Sequence, residues 1–202
     1  MNKKIISIVL LLSIISCIFA SSVHASESAK VFSSSQSAYY TNCGAYAISG
    51  YQTLGYSVTS SLGAITKSDM LAWIGNTGNG YAMYVHTLGG SGYFADYYGN
   101  TISSSEISGN WHFVYIDSSY SAATNSLATA FHTTGYSNRC FLGWSGSVST
   151  SNSNGFNYYF WLNYIGSMSV RDAAINAAAN IPGSGTTPTK LYGSTTYTGA
   201  AI

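Results

Sequence analysis

Segments that read as strand and segments that read as helix take turns along this sequence, and that alternation is the tightest constraint on its fold. Trp111 to Ile116 is aromatic and β-branched, the composition of a buried strand. Tyr81 to His86 and Cys140 to Trp144 read as further strands. Val31-Phe32, Tyr56-Ser57-Val58 and Leu191-Tyr192 read as short ones. Helix candidates lie between them. Ala45 to Leu54 has Asn42 as its cap and Gly55 as a left-handed stop. Ser68 to Ile74 turns Met70, Leu71, Trp73 and Ile74 inward, with Gly75 as its stop. Thr124 to Thr134 puts Leu127, Ala128, Ala130 and Phe131 on one face. Gly155 to Ile165 is an aromatic helix. Ser169 to Asn180 opens on the capping box Ser169-x-x-Asp172 and closes before Pro182. Residues 87–92 and 183–188 read as loops, and no internal repeat is present. Such alternation predicts an α/β domain, a mostly parallel sheet flanked by helices on both faces.

The first residues suggest export. Met1-Asn2-Lys3-Lys4 is a basic start, Ile5 to Ala20 is apolar apart from Ser7, Ser13 and Ser16, and Val23-His24-Ala25 offers small residues for cleavage. This is the layout of a signal peptide over 1–25, and the run is short for a spanning helix. The rival is a lipoprotein signal ending at Cys17, against which the apolar run continues to Phe19. Residues 26–41 are serine-rich and predict a flexible lead-in, which leaves 42–202 as the domain. A secreted or wall-associated protein with no further membrane span is expected.

Charge excludes several partners. From residue 26 onward, Lys30, Lys67, Arg139, Arg171 and Lys190 face Glu27, Asp69, Asp96, Glu106, Asp117 and Asp172, a net charge of −1. No basic stripe exists, so nucleic acid and anionic lipid are not expected partners. Charged residues make up 6% of the chain, and 18 tyrosines with many Ser, Asn, Thr and Gly take their place at the surface. That surface also suits a cell-wall adhesion module.

Two cysteines, Cys43 and Cys140, lie beyond the leader. An exported protein permits a bridge, and closing a loop of roughly 100 residues contributes about 4–5 kcal/mol. The alternative is two buried free thiols packed as small hydrophobes.

In an open α/β sheet the ligand crevice lies outside the carboxyl ends of the strands. Two expected strand ends carry reactive groups there: Val85-His86-Thr87-Leu88-Gly89-Gly90 and Ile116-Asp117-Ser118-Ser119-Tyr120-Ser121. Were these strands neighbours, an imidazole and a set of hydroxyls would meet, the layout of base and nucleophile. The plainer reading makes His86 a hydrogen-bonded structural residue. Other constellations are weaker. Gly143-Trp144-Ser145-Gly146-Ser147 lacks the last glycine of a nucleophile elbow. Asn42-Cys43-Gly44-Ala45 sets a thiol at an expected helix start, where the dipole lowers its pKa. With His112 and Asp117 downstream, that segment resembles papain-like bacteriocin-processing peptidases. His132 reads as a surface or packing residue on its helix. No zinc spacing, phosphate loop or EF-hand is present, so no cofactor or metal is expected.

A wider resemblance covers roughly residues 42 to 199. Phe113 to Ser121 resembles the nucleophile strand of caspase-fold cysteine peptidases: the metacaspases and the clostripain- and gingipain-like enzymes. Tyr84 to Gly89 resembles their strand ending in His-Gly. Phe141 to Val148, Phe156 to Trp161, Ser169 to Ala174 and Leu191 to Gly193 resemble later elements in order. The resemblance implies a caspase-like fold. It also places Ser119 where the family has its cysteine, and Leu88 where it has its histidine. A serine hydroxyl needs a well-placed base, which a leucine cannot be. The resemblance therefore implies a domain that keeps the fold, has lost the chemistry and works by binding a peptide or a cell-surface ligand.

One escape is His86, two residues before Leu88 and on the same side of an extended strand, which could serve Ser119, Ser118 or Ser121 in an active hydrolase. Asp117 and Ser118 are the candidate substrate-binding residues. In metacaspases the aspartate of this motif helps form an acidic specificity pocket; the simpler reading is a strand-end carboxylate accepting backbone amides.

Overall fold

The structure, a computed structural model, describes residues 27–34, 38–75, 80–165, 168–181 and 189–198. The expected leader over 1–25, with Cys17, and the loop at 183–188 with Pro182 lie outside the described residues.

In chain order the elements are β1 (Ser28–Ser33), α1 (Ala38–Thr53), β2 (Ser57–Leu62), α2 (Lys67–Gly75), β3 (Gly80–His86), β4 (Gly89–Gly90), β5 (Tyr93–Ala95) and β6 (Thr101–Ser103). A short 3-10 turn follows at Ser104–Glu106. Then come β7 (Phe113–Asp117), α3 (Ser126–Ala130), β8 (Cys140–Trp144), α4 (Thr150–Tyr164), α5 (Val170–Ala179) and β9 (Thr189–Gly193).

A six-stranded sheet runs β2-β1-β3-β7-β8-β9. Every pair is parallel except β8 with β9. The mostly parallel sheet flanked by helices is thus the observed architecture. Strands β7 and β8 are buried at every position, as parallel strands covered on both faces must be. Alternate residues feed two cores. Ala82, Tyr84, Phe113, Tyr115 and Leu142 pack with Tyr51 of α1, Phe156, Phe160 and Trp161 of α4, and Ala173 and Ala177 of α5. Met83, Val85, Val114, Ile116 and Phe141 pack with Met70 and Ile74 of α2, Leu127 of α3, and Phe94 and Ile102.

Helices α1 and α4 cross at close range. A Cβ built on Gly50 would lie 2.3 Å from the Trp161 ring, so only glycine lets the two backbones approach. Gly55, with φ of +91°, ends the α1 segment as expected.

Several expectations need correction. Residues 28–33, expected in a flexible lead-in with a short strand only at Val31-Phe32, form a longer internal strand with Ala29, Val31 and Phe32 fully buried; pairing on both edges compensates for weak local propensity. Helix α1 starts at Ala38, so Asn42 lies within it rather than capping it. Trp111 precedes β7 and is buried against the second core instead of extending the strand. The expected helix over 124–134 shortens to α3, and His132 behind it is left-handed, with φ of +53°. The expected glycine-rich loop contains β4, which joins β5 and β6 in a small antiparallel sheet. Helix α4 begins five residues before the expected Gly155, with the Ser149 hydroxyl accepting the Asn152 N–H at 3.2 Å.

Candidate functional site

Strands β3 and β7 are parallel neighbours, and His86 pairs in register with Asp117 at their carboxyl ends. Both side chains fall on the α1/α4 face, because each is two residues beyond a tyrosine of that core, Tyr84 and Tyr115. The His86 ring donates through Nδ1 to Asp117 Oδ2, an ionised carboxylate being only an acceptor. Three more donors converge on Oδ2: Tyr84 Oη at 3.0 Å, Ser153 Oγ at 2.7 Å and Asn157 Nδ2 at 2.6 Å. Trp144 Nε1 donates to Oδ1 at 2.7 Å.

Burial alone would raise the Asp117 carboxyl. The charge and hydrogen bond of His86, with the Ser153 and Trp144 donors, outweigh it and hold the group below its ordinary range. Asp117 is therefore a buried anion held by side chains, not by the backbone amides of the simpler expectation.

The segment after β7 turns sharply. Tyr120 is left-handed, with φ of +61°, and its N–H donates to Gly146 O at 2.9 Å. Ser121 Oγ donates to Ile116 O and accepts from Trp144 N, a structural role. Ser119 Oγ accepts the Val148 N–H at 3.1 Å. Ser118 is buried, and its Oγ has no partner among the described residues.

These segments border a cleft of about 100 Å³. Its walls include His86, Leu88, Asp117, Ser118 and Ser119 on one side, and Ser149 and Ser153 at the start of α4 on the other. Thus His86 and Ser119, together with Asp117 and Ser118, do reach one cleft. Leu88 is 67% exposed at its rim.

Cys43 is not on the wall of that cleft but lies behind it, beside His86 and Asp117. It is 1% exposed, in the second turn of α1, too far along the helix for the dipole effect, which fades within the first turn. Its thiol reaches Asn154 Oδ1 at 3.8 Å. Burial, and after it the charge of Asp117, push the thiol far above its ordinary pKa, so it stays protonated. The expected pairing of Cys43 with His112 is corrected by the sheet. His112 precedes β7 while Cys43 sits beside Asp117 at its end, about 15 Å along the strand.

The disulfide is corrected on the same ground. Cys140, at the start of β8, pairs with Phe113, and both cysteines are buried free thiols. His132 Nδ1 bonds Gly109 O, away from the cleft. The elbow-like segment is no elbow, since residues 145–149 separate β8 from α4 instead of a tight strand-to-helix turn.

Sequence reading missed Tyr84, Trp144, Ser153 and Asn157 as partners of Asp117. One signal was present, since Ser153 and Asn157 are four apart and share a face of α4 with the buried Phe156 and Phe160. A hydroxyl and an amide there call for a buried partner.

No family model and no curated protein sequence matches the chain. Among solved structures it is similar to the crystal structure of caspase-1 from Spodoptera frugiperda, with a TM-score of 0.55 and 10% identity, over 85% of this chain and 87% of that one. The likeness is one of fold: a caspase-like α/β sheet. No described helix is long and apolar enough to cross a membrane.

Proposed function

We propose that this chain is an exported caspase-fold domain that no longer cleaves peptides and acts by binding, with a peptide or a cell-surface ligand seated in the cleft. One observation carries the reading. The cleft presents Leu88 and Ser119 where the resemblance places an imidazole and a thiol, and the described hydrogen bond of the Ser119 hydroxyl is to the Val148 N–H. A hydroxyl without a committed base is a weak nucleophile.

The test combines labelling and binding. Probes for reactive serines and thiols should leave the purified protein unlabelled, and mixed peptide libraries should stay intact. Peptides drawn from those libraries should bind, and Leu88→Glu at the exposed rim should weaken them at least about tenfold, roughly 1.4 kcal/mol. Cleavage abolished by Ser119→Ala would instead make the protein a serine hydrolase using His86, a reading favoured by the presence of both residues in one cleft. Cleavage abolished by Cys43→Ala would make it a thiol peptidase. Intact peptides that also fail to bind would favour an adhesion module. Export is tested by N-terminal sequencing of the secreted protein, expected to begin at Ser26; a lipid-modified chain starting at Cys17 would overturn it.

A further inference from the structure

Behind the cleft, three elements bring together three different ligand types. Cys43 comes from α1, His86 from β3 and Asp117 from β7, and all three are buried. The Cys43 sulfur, a ring nitrogen of His86 and a carboxylate oxygen of Asp117 lie within 4.8 Å of one another. Around a tetrahedral zinc ion, with bonds of about 2.0–2.3 Å, such atoms stand about 3.5 Å apart. Binding requires side-chain rotations that bring the three ligand atoms from the observed arrangement to that spacing. We propose that Cys43, His86 and Asp117 form a binding site for one soft or borderline divalent metal ion of the zinc class.

Charge balance favours such an ion. One thiolate and one carboxylate carry two negative charges, which a divalent cation neutralises where unpaired charge is costly. The thiol proton and, where His86 is protonated on both nitrogens, one ring proton leave to solvent as the metal binds, so the imidazole ligates neutral. Donor chemistry narrows the choice, since a thiolate with an imidazole suits zinc, whereas magnesium and calcium want oxygen alone.

The surroundings are compatible. Four donors crowd Asp117 Oδ2, but Oδ1 takes a single bond, from Trp144, among the described residues, which leaves it a lone pair for a cation. Asn154 Oδ1, 3.8 Å from the Cys43 sulfur, stands ready as a fourth, weaker ligand. Asn157, whose Nδ2 bonds Asp117, keeps its own Oδ1 buried and without a partner among the described residues, an acceptor that a metal-bound water would satisfy. His86 and Asp117 also border the cleft, which gives the ion a way in.

The test uses the purified full chain, stripped of metal and kept reduced. Zinc should be retained at one equivalent after dialysis and should raise Tm. Cobalt(II) should give the near-ultraviolet charge-transfer band of a thiolate ligand. Cys43→Ser should abolish that band and weaken zinc binding at least about a hundredfold, while Cys17→Ser and Cys140→Ser keep both signals. No retained zinc, a cobalt spectrum without the thiolate band, or zinc binding unchanged by Cys43→Ser would overturn the proposal. Should Cys43→Ser fail to fold, the wild-type cobalt spectrum decides alone.

Discussion

Asp117 holds more of this molecule together than any other polar residue described. Five side chains from β3, β8 and α4 donate to it. Removing one member of a buried ion pair strands the rest, at a cost of about 3–5 kcal/mol. Asp117→Ala should lower unfolding stability by about that much in urea titrations, and a loss under 1 kcal/mol would contradict the network. Its pH dependence follows from the lowered pKa. The carboxylate is more acidic folded than unfolded, so it stabilises the fold above about pH 4 and that contribution is lost as pH falls through the folded value. The urea midpoint should therefore drop as pH falls below about 4, and Asp117→Asn should flatten the drop. Ser119 and Leu88 allow a second substitution test. Ser119→Cys combined with Leu88→His should gain thiol-dependent peptide cleavage, and Ser119→Cys alone should gain less. A silent double variant would remove the support that the family resemblance lends to the proposed loss of activity.

At the scale of elements, the α1/α4 contact rests on Gly50. A methyl group there would strike the Trp161 ring, and forced repacking of that kind costs about 1–3 kcal/mol. Gly50→Ala should destabilise by that amount although alanine is the better helix former; a stabilised variant in thermal melts would show that the helices are further apart. Strand β1 is the other sensitive element. It lies between β2 and β3, so a chain beginning at residue 38 would lose both ladders of pairing. That truncation should give no cooperative melt. These elements differed in how openly the sequence displayed them. Strands β7 and β8 were legible because both faces are buried and nearly every residue is aromatic or aliphatic. Strand β1 was legible only at Val31-Phe32 and hidden at its serine-rich flanks, because its stability comes from neighbours distant in sequence. Helix α4 showed its aromatic half but hid its Ser/Asn-rich first turns, which are helical because Ser149 caps them and Asp117 receives Ser153 and Asn157.

The whole molecule is a sheet with two chemically different ends. His86, Asp117 and Ser119 gather at the carboxyl end of the strands, while Cys140 and His112 sit at the other. This polarity keeps the two described thiols apart and reduced. Mass spectrometry after alkylation should find Cys43 and Cys140 modified only in denatured protein, and reductant should leave Tm unchanged. A Cys43–Cys140 peptide pair in unreduced digests would refute the described geometry.

The sequence by itself determined the α/β class and the mostly parallel sheet, because periodicity and β-branched runs are local properties of the chain, while the pairing of β3 with β7 came from the tertiary structure. The sequence also put His86, Leu88 and Ser119 at or just beyond two expected strand ends. Tertiary structure alone decided their partners. Residues 43, 86 and 117 stand too far apart in the chain for any spacing rule to join them. Parallel register pairs His86 with Asp117, and the crossing of α1 over the sheet brings in Cys43. The same packing denies Cys43 both His112 and Cys140, since a strand of given length fixes which side chains share an end.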